Sequence, residues 1–245
     1  MSALGFIPAR MGSTRFPGKP LAPIAGRPML EHCYRGAAQS DLLDDVLIAT
    51  CDPEIETWAQ SADIGCVMTS DAHVRATDRV VEAAQQFPEA GAIVLIQGDE
   101  PMITGEMVDL ALQPVLDGQA GCTNLTKRIE TLEEFESPNT IKVVHDLKGD
   151  TLYMSRAPVP STAQAGFDGL PAFKQVCVFG FSRAMLLEFS ELQPTPLEVA
   201  ESIDMLRYLE HGRPVRLVET TVDTHAVDVP DDIRLVEQLL EASSR

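Results

Sequence analysis

Ala3-Leu4-Gly5-Phe6-Ile7-Pro8-Ala9-Arg10-Met11-Gly12-Ser13-Thr14-Arg15-Phe16-Pro17-Gly18-Lys19-Pro20-Leu21 is the stretch on which the reading of this chain turns. Residues 3–7 form a short apolar run and predict a buried first strand. The segment that follows holds three cations, Arg10, Arg15 and Lys19, interleaved with glycines and prolines. Proline removes backbone donors and blocks helical turns, so a helix is excluded. A stiff loop at the carboxyl end of a strand is where open α/β sheets bind ligands. Fixed cations and bare backbone amides suit a polyphosphate. A solvated basic turn fits the same residues taken alone.

Charge distribution favours the phosphate reading. The formal charge of the 245-residue chain is −18. Residues 1–40 carry five cations against the single acid Glu31, a local balance of +4 that leaves −22 on the remaining 205 residues. Broad cationic surface is what nucleic-acid binding needs, so no nucleic-acid partner is expected. One basic patch can still focus a small, multiply charged anion into a cleft.

Working outward, short apolar runs alternate with amphipathic segments. Strands are predicted at 46–49, 66–68 and 92–96, and helices at 28–39, 52–61, 77–87 and 104–116, with Asp52 as N-cap of the second helix. This alternation predicts a largely parallel, doubly wound sheet up to about residue 120. Beyond it the pattern loosens. Strands are expected at 140–144, 152–154, 176–181 and 215–218, a mobile loop at 157–171, and helices at 196–212 and 230–242. Hydrophobic content of 44% suits a folded domain. No apolar run approaches membrane-span length, residues 1–20 lack a leader's apolar core, and five cysteines without metal spacing suit a reducing cytoplasm.

Gln97-Gly98-Asp99-Glu100-Pro101 ends the strand at 92–96. Asp99 there is either a turn cap or a ligand for the Mg²⁺ that accompanies nucleoside triphosphates, an ion that takes one or two carboxylates plus phosphate oxygens. Asp228, in Val227-Asp228-Val229-Pro230, is a second candidate, with Asp223, Asp231 and Asp232 as competitors. The Walker spacing fails, because five residues separate Gly12 from Gly18 and Pro20 follows Lys19. The dinucleotide glycine motif is absent after the first strand, and the five histidines show no metal spacing.

Ile7-Pro8-Ala9-Arg10, Ser13-Thr14-Arg15, Pro17-Gly18-Lys19-Pro20-Leu21, Gly26 and Pro28-Met29 together resemble the signature of the 3-deoxy-manno-octulosonate (Kdo) cytidylyltransferases, or CMP-Kdo synthetases. The resemblance continues through Gln97–Pro101, Lys142-Val143-Val144, Leu152-Tyr153, Ser155-Arg156-Ala157, Pro196-Leu197-Glu198, Leu206-Arg207 and Val227-Asp228. It implies a Rossmann-like nucleotidyltransferase fold: a mostly parallel mixed sheet flanked by helices, with a smaller appended lobe. A single domain over 1–245 would divide into a nucleotide-binding part (about 1–120), an acceptor and dimerisation lobe (about 121–215) and a metal-binding C-terminal part (about 216–245).

The implied activity is transfer of CMP from CTP to an acidic 2-keto-3-deoxy sugar by a Mg²⁺-dependent homodimer. By position, Arg10, Arg15, Lys19 and Asp99 would be catalytic, and Asp99 and Asp228 would hold the metal. Pro8, Ala9, Arg10, Arg15, Lys19, Thr77, Arg79 and Gln97 would bind the nucleotide. Gln97, Arg156, Lys174, Gln175, Glu201, Asp204 and Met205 would bind the acceptor. The chain departs from the family pattern at Arg75-Ala76 (Ser-Gly in the family), at Cys51, at Gln175-Val176-Cys177 and at Met205. Most of these departures belong to the acceptor side, so a modified octulosonate, another keto acid or a small phosphonate is an alternative acceptor. Transfer of a different nucleotide, such as UMP, and a nucleotide-binding relative without turnover are the rival readings.

Overall fold

The computed structural model describes residues 2–12 and 16–243, so Ser13, Thr14 and Arg15 of the basic loop lie outside the described residues. The chain begins with β1 (Ser2–Ala9), β2 (Pro23–Ile24), β3 (Arg27–Pro28), α1 (Met29–Ala37), β4 (Asp45–Thr50), α2 (Pro53–Ser61), β5 (Cys66–Met68), α3 (Ala76–Gln85), β6 (Ala90–Ile96) and α4 (Gly105–Leu116). It continues through β7 (Cys122–Arg128), α5 (Leu132–Glu136), β8 (Lys142–His145), β9 (Thr151–Ser155) and β10 (Phe173–Ser182). It ends with α6 (Arg183–Glu191), α7 (Pro196–Glu201), α8 (Met205–Glu210), β11 (Arg216–Glu219) and α9 (Asp232–Ser243).

The main path of the central sheet is β5-β4-β1-β6-β10-β7-β11. β1 pairs in parallel with β4 on one side and β6 on the other. The chain therefore runs outward from β1 to β5, then returns to lay β6 against the opposite edge of β1. That reversal opens a crevice at the carboxyl ends of β1 and β6, the place where α/β sheets take ligands. β10 runs antiparallel between β6 and β7, which makes the sheet mixed. The β8–β9 hairpin hangs from the start of β10 through Lys142–Lys174 and Val143–Phe173 pairing.

Strand alternation explains why the early strands read as unbroken apolar runs. Leu4 and Phe6 of β1, with Ile93 and Leu95 of β6, enter the core on one face. Ala3 and Ile7, with Ala92, Val94 and Ile96, enter the core on the other. A strand buried on both faces has no polar side to show.

Two expectations need correction. The helix expected at 196–212 is two helices, broken at Ser202, whose φ of 54° lies in the left-handed region. That conformation is uncommon for a residue with a Cβ and ends α7 where a single helix would have run on. Asp52 occupies the N-cap position of α2 without capping it. Its Oδ2 accepts from the Met11 amide at 2.8 Å, so the carboxylate braces the basic loop.

β7, α5 and α6 carry elements that periodicity did not predict. β7 is buried although it reads Cys-Thr-Asn-Leu-Thr-Lys-Arg. Its polar side chains are satisfied inside, with Thr123 donating to Ala111 O at 2.6 Å and Asn124 to Val176 O at 2.8 Å. Residues 157–171 contain no helix or strand.

Candidate active site

Two loops meet where the strand order reverses. The last residues of β1, Pro8 and Ala9, with Arg10 and Gly12 of the loop after it, meet Gln97, Gly98 and Asp99, which follow β6; all line one cleft of about 540 Å³. Gly98 permits this approach, since a Cβ there would lie 3.1 Å from the Pro8 carbonyl oxygen. The described part of the basic loop folds back on itself. The Gly18 amide donates to Met11 O at 3.1 Å, and Gly18 has φ 73°, a conformation glycine adopts without strain. The loop then presents Lys19, whose Nζ donates to Asp99 Oδ2 and to the Val227 carbonyl, each at 2.8 Å. Lys19 thus joins the first loop, the β6 loop and the segment before α9.

The far wall of the cleft comes from α3 and the turn before it, with Arg75, Ala76 and Arg79. Arg79 is buried, and its Nη1 donates to Thr69 Oγ1 at 2.5 Å and to Ser70 O at 3.2 Å. A second cavity of about 220 Å³ adjoins the first and is lined by Thr77, Asn139, Arg156, Gln175, Met205 and Asp228, among others. Gln97, Asp99, Ser202 and Asp204 line both. Asp99 is therefore at the seam, with Asp228 on the wall of the smaller cavity. The backbone fixes this proximity, because the Val227 amide donates to the Asp99 carbonyl oxygen at 2.9 Å.

The far wall of the cleft and the smaller cavity behind it are held by ionised side chains. Glu198, 1% exposed, accepts from Arg207 Nε at 2.8 Å and Nη2 at 2.7 Å. Arg207 also reaches Asp78 at 3.3 Å and lies 3.9 Å over the Phe189 ring. Arg75 adds a second cation, 3.4 Å from Glu198 and 3.6 Å from Asp204, and donates to Ser202 Oγ at 2.9 Å. Burial pushes the Glu198 carboxyl up, but the Arg207 guanidinium, the Thr195 amide and Arg75 together outweigh it and leave the group below its ordinary range. Burial wins at Asp204, whose carboxyl is raised although Thr77 Oγ1 donates to it at 2.8 Å. Burial likewise raises Glu100, to about 7.

The structure brings Pro8, Ala9, Arg10, Lys19, Arg79, Gln97 and Asp99 to the larger cleft, and Thr77, Arg156, Gln175, Met205 and Asp228 to the smaller one. Arg15 falls outside the described residues. Two expected acceptor residues line neither cavity. Lys174 precedes Gln175 on β10, so the two side chains leave opposite faces. Its ammonium lies 2.5 Å from Glu134 Oε1. Glu201 is used internally, accepting from Tyr153 Oη at 3.1 Å, Ser155 Oγ at 2.7 Å and the Arg156 amide at 2.8 Å. It sets the backbone that carries Arg156 and does not face the cavity.

Arg75, Ser202 and Asn139 line the cavities without having been in the expected site. Only Arg75 left a trace in the sequence, as a departure from the family motif.

Residues 4–222 match the cytidylyltransferase family model. A 3-deoxy-manno-octulosonate cytidylyltransferase of Geobacter metallireducens is 40% identical over 250 residues, covering 98% of each chain. That of Solibacter usitatus is 42% identical over 241 residues, covering 98% of this chain and 95% of its own. A solved structure of CMP:2-keto-3-deoxy-manno-octonic acid synthetase complexed with CTP superposes with a TM-score of 0.91 at 35% identity, covering 99% of this chain and 100% of that one. Sequence, fold and two adjoining cavities converge, and the chain belongs to the cytidylyltransferase family.

Proposed function

We propose that this chain transfers CMP from CTP to 3-deoxy-manno-octulosonate, releasing pyrophosphate. The observation that carries the reading is Asp99, which lines both the cleft beside the basic loop and the smaller cavity beyond it. In that reading the triphosphate lies along Arg10, Arg15 and Lys19, and the sugar acid lies near Arg156 and Gln97. The acceptor hydroxyl oxygen bonds to the α-phosphorus in line as the α–β phosphoanhydride breaks. Catalysis is then mainly positioning and charge neutralisation.

Asp99 and Asp228 fit Mg²⁺, which prefers oxygen donors and keeps sites for phosphates and waters. Asp99 already balances one positive charge, the Lys19 ammonium. Mg²⁺ bound there would neutralise developing phosphate charge. Lys19 is placed to hold Asp99 in position, and the Val227 amide fixes the backbone beneath it.

No helix among the described residues is long and apolar enough to cross a membrane. Five free thiols support a cytoplasmic setting. The exposed Leu147 and Leu152, beside and on the β8–β9 hairpin, support a homodimer.

A second acceptor is favoured by one observation. Gln175, Cys177 and Met205, all departures from the family pattern, line the smaller cavity together. Incubating the protein with CTP, Mg²⁺ and a panel of Kdo, modified octulosonates and small phosphonates, and following pyrophosphate, tests both readings. Preference for Kdo is the expected result. Release with another acid alone would move the assignment to that acid, and no release with any acid would refute it.

A further inference from the structure

Glu100 is 4% exposed, and among the described residues no lysine or arginine nitrogen lies within 4.0 Å of its carboxylate. A buried carboxylate without a cation is costly unless its oxygens are hydrogen-bonded. Its hydrogen-bond partner lies on another part of the site. Thr224 Oγ1 donates to Glu100 Oε2 at 2.6 Å. The nearby Cys177 backbone favours the ionised carboxyl against the burial that raises it.

Each of these contacts arrives from a functional surface. Glu100 follows Asp99 directly. Cys177 is on the wall of the smaller cavity. Thr224 lies four residues before Asp228, in the segment 220–231, which contains no helix or strand. Such a segment has no ladder to fix it, so side chains must. The Lys127 ammonium meets Asp223 near its start, and Lys19 meets Val227 O near its end. Thr224 supplies the tie between those points.

We propose that Glu100 is a positioning residue whose carboxylate binds the Asp99 turn and the Asp228 segment into one unit. The two candidate metal carboxylates then keep their relative placement. The inference rests on the proposed metal role of Asp99 and Asp228.

The test measures Mn²⁺ uptake in the presence of CTP by electron paramagnetic resonance, together with CTP affinity in metal-free buffer. Thr224→Val removes the donor without touching either aspartate. It should weaken Mn²⁺ binding about tenfold, the scale of one hydrogen bond to a charged group. CTP affinity without metal should stay within about twofold. Thr224→Ser should restore Mn²⁺ binding, which a merely structural role would not require. Unchanged Mn²⁺ affinity in Thr224→Val, or an equal loss of metal-free CTP affinity, would overturn the inference while leaving the transferase reading intact. If Thr224→Val does not fold, Glu100→Gln takes its place and must show the same selective loss. Failure of the unaltered protein itself to take up Mn²⁺ with CTP would instead remove the metal reading, and this inference with it.

Discussion

The two halves of the site are built by different means. The cleft at the ends of β1 and β6 is placed by backbone topology. Parallel pairing sets the strands side by side, and the reversal of strand order leaves their loops facing one crevice. The far wall of the cleft and the smaller cavity behind it depend on side chains that cross between elements: Arg207 and Arg75 on Glu198, Thr77 on Asp204, and Glu201 on the Ser155–Arg156 turn. A wall made by strand order tolerates substitution around it. One made by buried ion pairs fails when a partner is removed, because the remaining charge is left uncompensated. The lining of the smaller cavity can thus change by a few side chains while the cleft at the strand ends persists.

The comparison breaks most severely at the seam. Asp99→Asn should lower pyrophosphate release by about 10³-fold, the scale of losing a preorganised charge contact in a transition state. Melting should be little changed, since Asp99 is only partly buried. Single-turnover kinetics beside a thermal melt checks both.

Glu198→Gln comes next and separates the halves. It should cost about 3 kcal/mol by stranding Arg207, and lower Tm by roughly 6–12 °C for a chain of this size. The acceptor KM should rise further than the CTP KM. Because the Glu198 carboxyl is lowered in the folded state, its stabilisation is present above the ordinary glutamate value near 4.5 and lost as pH falls below it. Chemical denaturation across pH 3–6 should show a shallower acid decline in the variant.

Lys19→Met tests the opposite half. CTP affinity should fall about tenfold, on the scale of a charge-assisted contact, with thermal stability nearly retained. Titration calorimetry with CTP would reveal it.

The smallest effect belongs to Met205→Leu. A volume-conserving change on the smaller cavity should alter the acceptor KM less than about fivefold and leave CTP binding alone. A steady-state acceptor titration checks it, and a shift in CTP affinity would show that the cavities are not as separable as their construction suggests.

How much of this was legible follows the same division. β1, β4 and β6 announce themselves as apolar runs because both of their faces are buried. The polar residues Gln97 and Asp99 mark where such a run ends, and so the crevice could be located from spacing alone. β7 hides its identity, since Thr123, Asn124 and Thr126 hydrogen-bond inside the core and erase the apolar pattern. The break at Ser202 has no glycine or proline to signal it. Lys174 and Gln175 are equally polar in the sequence, yet the pleat sends one to Glu134 and the other to the cavity. Asp52 looks like a helix cap in its local context, and its partner is Met11, 41 residues away. Long-range side-chain partners carry the far wall and the smaller cavity, and neither composition nor periodicity encodes them.

In the proposed reading, Asp99 and Asp228 meet one metal-bound triphosphate at the seam between two cavities. A crystal structure with Mg²⁺ and a non-hydrolysable CTP analogue tests it most directly. The account predicts one Mg²⁺ coordinated by both carboxylates at about 2.1 Å, with the triphosphate along the basic loop. A cation held by phosphates and other side chains alone, or a nucleotide seated away from Lys19, would contradict it.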